Sequence, residues 1–174
     1  IRKTHRYLGL FIGIQFLAWT ISGLYFSWTD LDKIHGDHFI RVPPDKAIFS
    51  NLIHLDSLNE TIRELYLVDI AGKPYYWINN DRLYNAKIGT IKNGITKKEA
   101  ISIAQENLIE GLKIDHVEYL TETNSHHEYR GQSLPAYAIH FKNKDLLVAY
   151  VDAKSGIFKK VRHQSWRWFD FLWM

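Results

Sequence analysis

Cysteine is absent from this 174-residue chain, so no disulfide and no thiolate-ligated metal site can be built from it. That absence is compatible with a bacterial periplasm and proves no compartment. Strong net charge is lacking too. The formal charge is +3, and basic residues alternate with acidic ones apart from short runs such as Lys97-Lys98 and Lys159-Lys160. Such an even scatter does not indicate a nucleic-acid surface. No nucleophile elbow, phosphate-binding glycine loop, dinucleotide fingerprint or HExxH pair occurs, so a hydrolase or kinase has no sequence support.

The most informative absence is local. From Tyr7 to Trp28 there are 22 consecutive residues without a charge, in a chain that is 24% charged. As a helix that run is about 33 Å long at roughly 1.5 Å per residue, enough to cross a hydrocarbon core of about 30 Å. A signal peptide would have a shorter apolar core and a small-residue cleavage site, whereas this run ends in Tyr25, Phe26 and Trp28. A buried core helix would seldom lack charge on every face for six turns. Arg2, Lys3 and Arg6 precede the run; Asp30, Asp32 and Lys33 follow it. The positive-inside bias then predicts a cytoplasmic N-terminus with the remainder outside.

Beyond the run, Gly36 and Pro43-Pro44 mark a polar connector. Residues 62–69 and 74–79 are rich in branched and aromatic side chains around a short AGK turn and read as a hairpin. RLYNAKIGTIKNG predicts strand, turn at Gly89 and strand. Thr96 with Glu99 forms a capping box, opening a helix expected over 96–112. Its apolar stripe is Ala100, Ile103, Ala104, Leu108 and Leu112, and Gly111 is its expected stop. Strands are expected at 115–122, 134–142 and 145–163, the last divided at AKSG, where Gly156 supplies the positive φ of a turn. In the second of these, Tyr137, Ile139 and Phe141 alternate with Ala138 and His140, predicting one buried and one polar face. Residues 84–92 echo residues 151–159 at a constant offset of 67. Either any tight hairpin selects Asn or Asp with Gly, or a strand–turn–strand unit is duplicated.

The chain opens at Ile1 and closes within SWRWFDFLWM. Trp166, Trp168 and Trp173 are expected to belt the mouth of a second membrane segment, the alternative being an amphipathic tail. The fold class is therefore α+β. A transmembrane helix (1–29) leads to a connector and first β-rich half (30–92), a helix-and-sheet domain (93–165) and the interfacial start of a second membrane helix (166–174).

Two motifs carry a family resemblance. ITKKEAISIAQ, with the strands after it and the closing YVDAKSGIFKKV, resembles a PepSY domain, one helix against an antiparallel sheet. KTHRYLGLFIG…ISGLYF is similar to the first helix of PepSY-associated transmembrane proteins, matching it at His5, Arg6, Gly9 and Ser22-Gly23, with Ser where that family has Thr. The resemblance covers most of the chain. It implies a bacterial inner-membrane protein with a periplasmic PepSY domain. Within so heterogeneous a family it implies either of two activities. One is a haem-dependent reductase of ferric, siderophore-type substrates or an electron-transfer subunit, with haem b as cofactor. The other is a non-catalytic subunit whose domain binds a protein partner or inhibits a protease.

The residues that can carry chemistry follow. His5, at a helix end, is a candidate axial haem ligand, and Gly9 one turn on lets a flat macrocycle approach. The bland alternative is that His5 joins Arg2, Lys3 and Arg6 in anchoring the helix at the headgroups. Gly9, Gly13 and Ser22-Gly23 offer a small-residue surface for other membrane helices, and Gln15 and Thr20 favour such a neighbour. His35, Asp37 and His38 have the donor types of a first-row metal site, though Gly36 argues equally for an ordinary loop. His126-His127 sits in a polar stretch that reads as solvated. His140 and His163 read as packing or interfacial residues. Expected partners are the lipid bilayer, other membrane helices or subunits, and a periplasmic protein or iron chelate.

Overall fold

The computed structural model describes residues 2–41 and 47–173. The Pro43-Pro44 loop lies outside them. Helix α1 (Arg2–Trp28) is one continuous helix with no buried residue, and it is long and apolar enough to cross a membrane. Two of its hydroxyl side chains bond within it. Thr20 donates to the Phe16 carbonyl at 2.9 Å and Ser22 to the Trp19 carbonyl at 3.0 Å, the back-bonding open to hydroxyls on an apolar helix. Asp30 then caps a short helix α2 (Leu31–His35), its carboxylate accepting the Asp32 amide at 3.0 Å. Gly36 ends α2 at φ +87.

Two four-stranded antiparallel sheets follow, each a simple meander. The first comprises β1 (Leu65–Ile70), β2 (Lys73–Ile78), β3 (Arg82–Asn85) and β4 (Ile91–Lys92). Helix α3 (Lys97–Asn107) leads into the second: β5 (Ile114–Leu120), β6 (Ala136–Phe141), β7 (Val148–Asp152) and β8 (Phe158–Arg162). Helix α4 (Gln164–Trp173) closes the described chain. Strand alternation directs the packing. Tyr75, Trp77 and Leu83 of the first sheet share a core with Ala100, Ile103 and Ala104 of α3 and with Ile139, Ala149 and Val151 of the second. The opposite face of β2 and β3 presents Tyr76, Ile78 and Tyr84 to Leu52, Ile53, Leu55 and Leu58.

The sequence echo is a structural repeat of one turn. Asn85 Oδ1 accepts the amides of Lys87 (2.9 Å) and Ile88 (3.2 Å), and Gly89, at φ +73, donates its N–H to the Asn85 carbonyl at 2.8 Å. Asp152 Oδ1 accepts the amides of Lys154 (2.9 Å) and Ser155 (2.8 Å), and Gly156, also at φ +73, donates to the Asp152 carbonyl at 2.9 Å. Each turn joins the third and fourth strands of its sheet.

Two expectations are corrected. The capping box is present, with Thr96 and Glu99 each bonded to the other's backbone. But α3 stops at Asn107 rather than near Gly111, because Leu108 is drawn into an antiparallel bridge with Ile40. Arg41 N–H donates to the Asn107 carbonyl at 2.9 Å and Ile109 N–H to the Phe39 carbonyl at 3.0 Å, so the connector competes away the last helical turn. The polar face expected for β6 is only partly polar. Ala136 and Ala138 are buried under Tyr129 and Leu134, so both faces of the second sheet are covered.

Candidate functional site

The face of the second sheet turned away from α3 gathers most of that sheet's own titratable groups. Alternation puts Glu118 and His116 of β5, His140 of β6, Tyr150 of β7, and Lys160 and Arg162 of β8 on it. The small side chains of Ala136 and Ala138 leave room for the loop 121–135, whose Tyr129 is fully buried and stacks on Tyr150 at 4.6 Å.

Helix α4 is clamped onto this face by two ion pairs. Arg130 binds Asp170 through two hydrogen bonds of 3.0 and 2.7 Å, the fork geometry that suits guanidinium and carboxylate. Arg167 meets Glu128 at 2.7 and 3.0 Å, and Glu128 also accepts the Tyr150 hydroxyl at 2.6 Å. Arg162 stacks on Trp166 with 3.9 Å to the ring centroid. Burial, with the Glu128 carboxylate beside it, raises the Tyr150 hydroxyl well above its ordinary pKa. Burial and the neighbouring Arg162 and Arg130 lower Lys160 to about 8. Within the clamp the guanidinium and carboxylate groups are paired.

Trp168, Phe171 and Trp173 of α4 are exposed. Phe26 of α1 packs edge-on against Phe169 (5.0 Å) and Trp173 (5.7 Å). The amphipathic character expected as the alternative for this segment is thus present in α4, which is ten residues long as described. The connector adds a second tie: His163 is buried and its Nε2 bonds the Ile34 carbonyl at 3.1 Å.

At the edge of the same face lies a histidine cluster. His116 and His140 are direct cross-strand partners, and their rings stack at 4.1 Å with 10° between planes. A bulge in β5 between Ile114 and His116 leaves Asp115 as the extra residue, and such bulges re-aim side chains. Asp115 Oδ2 lies 2.9 Å from His116 Nδ1, while His116 Nε2 lies 3.3 Å from Glu118 Oε1. His140 Nε2 is buried without a hydrogen-bond partner among the described residues, 3.6 Å from Glu118 Oε2. Asp115, with help from Glu118, raises the His116 pKa; burial, with His116 beside it, lowers that of His140. An open cleft of about 590 Å3 links His140 to His126, His127 and the α4 side chains Trp166 and Phe171.

The residues singled out from sequence are placed elsewhere. His5 and Gly9 are exposed on α1, and a Cβ at Gly9 would meet nothing within 4 Å. Of the chain's nine histidines, all but His5 follow Trp28, at least about 35 Å along the helix from it. His35, Asp37 and His38 are exposed around Gly36, with His38 against Phe39 at 4.0 Å. Among the described residues the ligand-type group that converges is instead His116, Glu118 and His140. Sequence reading missed that set, as it missed Glu128, Arg130 and Asp170, because residues on separate strands and loops meet only through register. The alternation in DHVEYL was its one visible signal.

A larger cleft of about 660 Å3 lies at Asn59–Arg63 and Ile78–Arg82. Its polar groups are occupied in fastening turns, as where Asn79 accepts the Arg63 amide at 2.8 Å and donates to the Thr61 carbonyl at 2.7 Å. Comparison of the chain with protein-family models, curated proteins and solved structures returns no match in any of the three.

Proposed function

We propose that this chain is a membrane-anchored subunit of the PepSY-associated type, holding a two-sheet binding domain against the outer face of a bacterial inner membrane. One observation carries the reading: Phe26, at the end of the apolar helix, packs on Phe169 and Trp173 of α4, while α4 is pinned to the second sheet by paired charges. Aromatic side chains of this kind favour the headgroup layer. The α3-on-sheet packing supports a PepSY-type module, and the unburied α1, with Gly9, Gly13 and Ser22-Gly23 on its surface, supports contact with other membrane helices. In this reading the domain binds a partner protein and needs no reaction of its own.

Two experiments test anchorage and orientation. Alkaline carbonate should leave the full chain in the membrane pellet; release into the supernatant would overturn the anchor. A cysteine introduced as Ser125→Cys, at an exposed position, should react with an impermeant maleimide added outside the inner membrane. Labelling only after lysis would reverse the orientation.

A second reading, haem at His5, draws on the open surface above Gly9. Haem there would supply one-electron transfer toward a ferric or other oxidised acceptor. His5 would hold the group through its imidazole, and the open surface at Gly9 would leave room for it. A reduced-minus-oxidised spectrum with b-type bands that vanish in His5→Ala would support it. A haem-free protein would eliminate it and leave the binding-domain reading intact.

A further inference from the structure

We propose that His116, Glu118 and His140 form a binding site for one divalent first-row transition-metal ion at the edge of the second sheet. The inference does not depend on the membrane reading. Each residue offers one ligand atom, and those atoms all lie within 4.8 Å of one another. In a tetrahedral shell with metal–ligand bonds of about 2.0 Å, neighbouring donor atoms are about 3.3 Å apart. His116 Nε2 is already 3.3 Å from Glu118 Oε1, and His140 Nε2 is 3.6 Å from the second carboxylate oxygen, Oε2. Small rotations of two half-exposed side chains and one partly buried ring would close the set.

Three further features favour an ion over a cross-strand polar pair. The first is the state of His140, whose Nε2 points into the cluster with no hydrogen-bond partner among the described residues. A buried imidazole nitrogen left in that state costs free energy, which a metal ion would recover. The second is Asp115, whose carboxylate can take the Nδ1–H of His116 at 2.9 Å. That contact fixes the tautomer with the Nε2 lone pair toward Glu118, the carboxylate–histidine arrangement that supports metal-bound imidazoles. The third is charge: Asp115 and Glu118 together balance a dication, and Lys142 at 3.3 Å from Asp115 offsets part of their repulsion before it arrives. Two imidazoles and one carboxylate suit zinc or iron(II) and leave a position open to water or a small ligand.

The test uses the full chain in detergent, stripped with a chelator and titrated with Zn2+ calorimetrically. One equivalent should bind. His140→Ala or Glu118→Gln should weaken affinity at least ~100-fold, and Asp115→Asn by about 10–100-fold, the usual effect of removing an outer-shell partner. Replacing both His126 and His127 by alanine should change it little. Affinity retained in His116→Ala/His140→Ala, or lost in His126→Ala/His127→Ala, would overturn the assignment. A footprint on the unmutated chain guards against misfolding. Zinc should protect His116 and His140 from diethyl pyrocarbonate while His126 stays reactive, and equal modification with and without zinc would sink the site.

Discussion

Arg130 holds Asp170 through two parallel hydrogen bonds, Nη1 to Oδ2 at 3.0 Å and Nη2 to Oδ1 at 2.7 Å. The pair joins the loop before β6 to the last described helix, and it decides which side of α4 faces outward. With Asp170 turned to the sheet, Trp168 and Phe171 are left exposed, and Phe169 packs against Phe26. The pair is part-exposed, so its worth is about 1 kcal/mol rather than the figure for a buried pair. Asp170→Ala should therefore loosen α4 locally without unfolding the sheets. Trypsin cleavage after Arg167 should accelerate several-fold at unchanged circular dichroism, and an unchanged cleavage rate would show that Arg167–Glu128 alone holds the helix.

Gly36→Ala should destabilise the fold by about 1–3 kcal/mol, combining left-handed backbone strain with overpacking. Gly36 has φ +87, and an added Cβ would sit 2.6 Å from Val161 Cγ2 and 3.3 Å from His163 Cδ2. The urea midpoint reports the change. A neutral result would mean that the connector swings away from β8 at little cost.

The two repeated turns should respond unequally to the same truncation. Asn85→Ala removes two amide contacts from an exposed turn and should cost about 1 kcal/mol. Asp152 is 5% exposed and also binds the Ser133 hydroxyl, so Asp152→Ala should cost about 2–3 kcal/mol. Denaturant midpoints of the two variants measure the difference directly.

Stability should fall on acidification from pH 7.5 to 5.5. Burial first, and His38 second, hold the His163 pKa below its ordinary value, against the Ile34 carbonyl bond and Asp145. Below about 6.5 the unfolded chain takes a proton that the folded state resists, so stability rises with pH across that window. His140, lowered mainly by burial, acts with the same sign. His116, raised mainly by Asp115, acts oppositely: its contribution is present at low pH and fades as pH rises through its folded value. His163→Gln keeps a donor for the Ile34 carbonyl and should shrink the acid loss. The same loss in that variant would exclude His163 as its source.

Zinc affinity should weaken as pH falls through the range where His116 titrates, since the proton competes for its Nε2. Asp115 and Glu118 hold that proton more tightly than water would, so the loss should begin above the ordinary imidazole value. Lys142, just past the end of β6, and Glu128 and Arg167 beyond His140, set the remaining field. Asp115→Asn should move the onset to lower pH, and a pH-independent affinity between 5.5 and 7.5 would argue against histidine ligation.

Local chemistry made much of this molecule readable in one dimension. The uncharged run determined α1, because a helix satisfies its own backbone and needs no partner to exist in an apolar medium. The capping box placed the start of α3, the glycines placed the repeated turns, and alternation placed most strands to within two or three residues. All of these depend on neighbours within a few positions. The end of α3, the burial of Ala138 and Tyr129, and the Arg130–Asp170 and Arg167–Glu128 pairs depend on residues tens of positions apart. So does the meeting of His116, Glu118 and His140, set by a bulge in β5 and the register of β5 on β6. Register and bulges emerge from the packing of a whole sheet against its cores, so the strands could be read from the sequence while the histidine site had to wait for the tertiary structure.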